Sequence, residues 1–164
     1  MSDNTKFKLR SDYSLPCQKG ELLYLKDEYS IFFVENKHIN ALTSLVINTL
    51  EIMVAEEGVL SRVQGYFPIL SWKNRSLPIF QSQEASIYVD DKSFNIEKNI
   101  GIGQSISKEW PIYYDENTGF IFIGKNIDQA LDCVEFCTGC YLSICDGYIN
   151  GLWLKPKIIE SLDI

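Results

Sequence analysis

The chain has 164 residues, 46% of them apolar, and carries 15 Lys+Arg against 22 Asp+Glu for a formal charge of −7. That apolar fraction is too high for a disordered chain, and the length fits one domain, 1–164, with a sizeable core. The charge is uneven: residues 1–82 hold 9 basic and 9 acidic side chains, whereas residues 83–164 hold 6 basic and 13 acidic, so the second half carries the whole excess. Nucleic-acid binding and docking on an anionic membrane are disfavoured, because both need clustered Lys and Arg.

The first ten residues are polar and mixed in charge, unlike a secretory signal. No stretch approaches the roughly 18 consecutive apolar residues of a membrane-spanning helix. Five cysteines, an odd count, point to reduced thiols and a cytoplasmic location.

Strand and turn signals dominate along the chain. A strand is expected near 29–35. Leu50, Ile52 and Val54 alternate with Glu51, Met53 and Ala55. The link Glu56-Glu57-Gly58 then leads to a second run over 59–67, which reads as a hairpin. A helix over 41–57 competes, since Leu42, Leu45, Val46, Leu50 and Met53 also satisfy helical spacing. The β-branched content of Val46, Ile47, Thr49, Ile52 and Val54 selects strand. Another strand is expected near 85–90. A second hairpin joins 110–114 to 120–124 through Asp115-Glu116-Asn117-Thr118-Gly119. A third turns at Asp146-Gly147, between Tyr141-Leu142-Ser143-Ile144-Cys145 and Tyr148-Ile149. One helix is predicted near 127–137: Ala130, Cys133, Val134 and Cys137 fall at i, i+3, i+4 and i+7, Asn126 or Asp128 can cap it, and Gly139 can end it. The expected fold is therefore α+β and mostly antiparallel β, a curved sheet or sandwich built from hairpins with one helix packed on it.

Cys133, Cys137, Cys140 and Cys145 fall within thirteen positions. The spacing of the first three matches the triad that ligates an iron–sulfur cluster in radical enzymes, and two of the gaps fit zinc ligand pairs. The surrounding Val134, Phe136, Leu142 and Ile144 favour the plainer reading of cysteines as small core hydrophobes, and no metal or cofactor is expected. His38, the only histidine, lies in a polar segment that reads as a loop. Gly101-Ile102-Gly103 is half of a dinucleotide fingerprint and lacks its closing glycine.

The acidic pairs Glu56/Glu57, Asp90/Asp91 and Asp115/Glu116 fall at predicted turns. Paired carboxylates can serve hydrolysis, so a small metal- or carboxylate-dependent enzyme is one alternative, and a non-enzymatic adaptor module is another. Asp115 and Glu116 stand among Trp110, Tyr113, Tyr114, Phe120 and Phe122. Carboxylates with aromatics on one hairpin suit a surface that docks a basic protein, since aromatics anchor interfaces and charge steers encounter. The expected contact is Asp90, Asp91, Trp110, Tyr113, Tyr114, Asp115 and Glu116.

Two segments carry a resemblance: Leu50-Glu51-Ile52 through Gly65-Tyr66-Phe67-Pro68, closed by Trp72, and Asp146-Gly147-Tyr148-Ile149-Asn150-Gly151-Leu152-Trp153-Leu154-Lys155-Pro156. Both resemble segments of small acidic bacterial immunity proteins of polymorphic toxin systems, including contact-dependent growth inhibition. The resemblance covers about a third of the chain and transfers no binding residue. It implies a non-enzymatic protein that binds and blocks one cognate toxin domain, often a nuclease, in a 1:1 complex.

Overall fold

The computed structural model describes residues 7–90 and 92–161. It is nearly all β, with 52% of residues in strands. Helical turns among the described residues are the 3-10 segments Glu56–Gly58, Ile69–Ser71, Glu97–Asn99 and Ile127–Gln129. The expected α+β class with a helix is therefore overturned.

The first seven-stranded sheet contains β2 (Gly20–Leu25), β3 (Ser30–Glu35), β4 (Ala41–Ile47), β5 (Leu50–Ala55), β6 (Leu60–Tyr66), β10 (Gln104–Ser107) and β16 (Lys157–Ile159). Its order is β10-β4-β5-β6-β3-β2-β16. The second contains β7 (Lys73–Asn74), β8 (Gln81–Glu84), β11 (Ile112–Tyr114), β12 (Ile121–Ile123), β13 (Asp132–Cys137), β14 (Cys140–Cys145) and β15 (Tyr148–Leu154), in the order β7-β11-β12-β15-β14-β13-β8. A short ribbon pairs β1 (Leu9–Asp12) with β9 (Ser86–Val89). In both large sheets the five inner strands pair antiparallel, and a strand from a remote part of the chain docks parallel at each end.

Alternation decides which side chains are buried. Leu45, Ile47, Leu50, Ile52 and Val63 of the first sheet join Ile121, Ile123, Val134, Phe136, Leu142, Leu152 and Leu154 of the second in one contiguous core. The two segments that carry the family resemblance supply many of these residues, so that resemblance concerns the frame.

A smaller cluster lies on the outer face of the second sheet. Phe122 and Trp153 form its centre with Leu77, Ile127, Ala130 and Cys133. Gly151 permits this packing: a Cβ there would sit 2.6 Å from Phe122 Cε1.

The misread helix has a clear cause. Ala130, Cys133, Val134 and Cys137 are all buried, as a helical stripe would be, but in two different cores. Cys133 faces the outer cluster, whereas Val134 and Cys137 face the core between the sheets. Residues 132–136 obey the period of two, a register shift between Glu135 and Cys137 turns Cys137 to the same core as Phe136, and β13 finds partners on both sides in β14 and β8. Gly139 does not end a helix. With φ +81° it makes the tight turn from β13 to β14, a conformation that costs other residues more.

Candidate functional site

The hairpin expected to bear the partner contact is split by its own pleat. Tyr113 joins the outer cluster, with Arg75 5.1 Å above its ring. Tyr114 points the other way, toward the inter-sheet core, 5.2 Å from Trp72. Trp110 packs half-buried against that core, and Asn48 clamps its backbone: the Trp110 N–H donates to Asn48 Oδ1 at 2.9 Å, and Asn48 Nδ2 donates to the Trp110 carbonyl at 2.8 Å.

Asp115 is 5% exposed and turned inward. Its Oδ2 accepts the Leu77 N–H at 2.9 Å and its Oδ1 accepts the Asn117 N–H at 2.9 Å. The Leu77 bond is the chief cause that holds its carboxyl below the usual Asp range. Glu116 is exposed. Asp90 is half-buried and caps its own turn, with Oδ1 accepting the Lys92 N–H at 3.1 Å. Asp91 lies outside the described residues. No hydrogen bond or ion pair among the described residues joins Asp90 to the β11–β12 hairpin, so the expected set does not form one contiguous patch through contact.

A concave surface lies elsewhere. An open groove of about 570 Å³ runs between β1 and the β8–β13 edge of the second sheet. Leu9, Val134 and Ile144 give it an apolar floor. Ser11, Tyr13, Gln81, Gln83 and Asp132 give it polar walls. Asp132 is exposed, as are Asp128 and Asp146 in adjoining turns; Lys8, laid 5.7 Å over the Tyr148 ring, is a cation on the same rim.

Beside the groove, one row of the outer face runs Tyr113, Phe122, Trp153, Tyr141, Glu135, Glu84 from strand to strand. Its acidic end meets Cys17, and ligand atoms of Cys17, Glu84 and Glu135 lie within 4.8 Å of one another. This corner could hold a divalent ion by composition. Its hydrogen bonding argues otherwise. The Lys19 ammonium lies 2.5 Å from Glu84 Oε1 and lowers the Glu84 pKa as the largest cause. Glu135 Oε2 accepts the Gly139 N–H at 3.0 Å. Burial first, then Glu84, pushes the Cys17 thiol up to about 11. A metal would have to displace the lysine and ionise a reluctant thiol, so the residues do not fit one.

The four clustered cysteines do not converge on a ligand set either. Burial pushes Cys133 up to about 12 in the outer cluster, Cys137 and Cys140 face the inter-sheet core, and Cys145 is exposed. His38 is an exposed loop residue with ring nitrogens against Glu35 Oε1 at 3.1 Å and Asn40 Oδ1 at 2.8 Å. No helix among the described residues is long and apolar enough to cross a membrane.

Sequence reasoning missed both the groove and the Cys17 corner. Each is assembled from segments far apart in the chain, and β8 (Gln81-Ser82-Gln83-Glu84) has no apolar alternation to announce a strand. Compared with models of known protein families the sequence gives no match, and no curated protein is detectably similar to it.

Proposed function

We propose that the chain is a cytoplasmic immunity protein that binds a cognate toxin domain, a nuclease by preference, in a 1:1 complex and covers its basic active site. The observation that carries this reading is the groove between β1 and β8–β13. It is a concave, mostly polar surface with the exposed Asp132 in its wall and the exposed Asp146 next in the chain to Gly147 of its lining. A basic active-site loop can enter such a groove, trading its phosphate ligand for the Asp132 carboxylate and the side-chain amides of Gln81 and Gln83. The resemblance of the buried segments to immunity proteins supports the same class. This contact replaces the β11–β12 hairpin as the favoured interface, because Asp115 is committed to Leu77.

The test is to read the genes on either side of this one and, where one encodes a large secreted protein, to coexpress its C-terminal domain with this chain. Restored growth and a complex that survives gel filtration support the reading. A toxin domain that still kills, with no complex formed, overturns it, as does a gene set in an isolated metabolic operon. Reversing Asp128, Asp132 and Asp146 to Lys is expected to slow association at least about tenfold and to flatten its salt dependence. An unchanged rate would move the interface elsewhere.

A further inference from the structure

A cleft of about 340 Å³ is walled by segments of both large sheets and shares no residue with the β1/β8–β13 groove. The turn between β4 and β5 and the end of β6 come from the first sheet. The chain entering β11, with β7 paired beside it, comes from the second. Hydrogen bonds staple these segments together. The Asn48 N–H donates to the Ser107 carbonyl at 2.7 Å, the Asn48 side chain clamps the Trp110 backbone, and the Thr49 hydroxyl donates to the Tyr66 carbonyl. The cleft is therefore pre-formed, and its volume falls within the range of small-molecule sites, about 300–1,000 Å³.

Its lining joins aromatic rings to cations. Tyr66, 57% exposed, and the half-buried Trp110 offer ring surface, and Phe67, Pro68 and Pro111 complete the apolar part. Lys73 and Lys108 are exposed lining residues, and neither belongs to an ion pair among the described residues. Glu109 is the one carboxylate in the lining. Phe67 packs 5.0 Å from Trp72, which is 8% exposed and whose Nε1 has no hydrogen-bond partner. Buried donors ordinarily have one, so the layer beside the cleft is short of an acceptor. On a chain of charge −7, free ammonium groups beside an aromatic lining select an anion that carries a flat ring. Lysines hold a phosphate as point charges, and aromatic faces stack any base. We propose that this cleft binds a nucleoside monophosphate, its base against Tyr66 and Trp110 and its phosphate between Lys73 and Lys108. A single phosphate needs only this pair of cations, not the clustered basic stripe that a nucleic acid requires. The site does not depend on the identity of any toxin.

The test is titration of the full, nitrogen-labelled chain with AMP, GMP and UMP, read on the indole N–H signals of its tryptophans by NMR. These report separately: Trp110 lines the cleft, Trp72 lies next to it, and Trp153 is bonded to the Ala130 carbonyl in the outer cluster of the second sheet. The expected result is saturable movement of the Trp110 and Trp72 signals, half-complete below about 1 mM nucleotide, with the Trp153 signal fixed. The double variant Lys73→Gln/Lys108→Gln, at exposed positions, should weaken binding at least about tenfold and leave the melting temperature unchanged. Lys98→Gln/Lys125→Gln, exposed outside the lining, should bind like the wild type. Adenosine alone and inorganic phosphate alone should each bind at least about tenfold more weakly than AMP. Signals that stay fixed up to about 10 mM nucleotide overturn the proposal. So does binding that both lysine pairs weaken equally, and so does inorganic phosphate that binds as tightly as AMP, because the rings would then contribute nothing.

Discussion

The two large sheets share one core and treat their outer faces differently. On the first sheet the outward positions of β5 and β6 are Glu51 against Gln64 and Met53 against Arg62. Glu51 accepts from Ser44 at 2.9 Å, Arg62 Nη1 lies 3.5 Å from Glu35, and Val34 and Tyr66 stand largely in solvent. On the second sheet the outward row is aromatic and is roofed by a strap, residues 75–81, and by the Ile127–Gln129 turn. The lesson is that a sheet face stays open when polar pairs line it, and must be covered when large apolar rings do. The second sheet therefore has two cores, one per face, and the outer one depends on loops.

Substitution of Trp153 by Ala should break this contrast most severely. Its ring contacts Phe80 and Phe122, and its Nε1 donates to the Ala130 carbonyl at 2.9 Å. A loss of about 3–5 kcal/mol in urea unfolding is expected. Gly151→Val should follow at about 1–3 kcal/mol, because the new side chain meets the Phe122 ring.

Asp115→Asn should cost less, and its signature is pH dependence. Asp115 titrates below its ordinary range in the folded state, so its stabilising effect is present above the unfolded pKa of about 4 and fades as pH falls through the lower folded value. Melting temperatures across pH 7 to 2 should show a steeper acid limb for the wild type than for Asp115→Asn, with little difference between pH 5 and 7. Equal limbs would remove Asp115 as the anchor of the strap. Val34→Ser, on the open face, should change stability by no more than about 0.5 kcal/mol. A larger loss would mean that this face is covered in solution.

The sequence made the local pairings legible. The runs around Gly58, Gly119 and Asp146-Gly147 read as hairpins because adjacent strands and their turn residues lie together in the chain. Residues 127–137 misled because Cys133 and Val134 are buried on opposite faces of one strand, which mimics a helical stripe. β1, β8 and β10 carry no strand signal in the sequence because polar residues dominate them and a distant neighbour defines them. The site was less legible still. An acidic pair in an aromatic hairpin suggested a surface, yet Asp115 reaches back 38 positions to the Leu77 amide. Nothing near Asp115 in the sequence signals that acceptor role.

The parallel end strands have a consequence for how the chain reaches this state. The inner five-stranded arrays contain hairpins that can close quickly, whereas β16 must find β2 across nearly the whole chain, and β7, β8 and β10 also wait for remote partners. Loop-closure entropy delays such contacts. Folding should therefore run from the middle of each sheet outward. The four end strands would dock last and act as covers, hiding inner edges that would otherwise recruit neighbouring chains into aggregates.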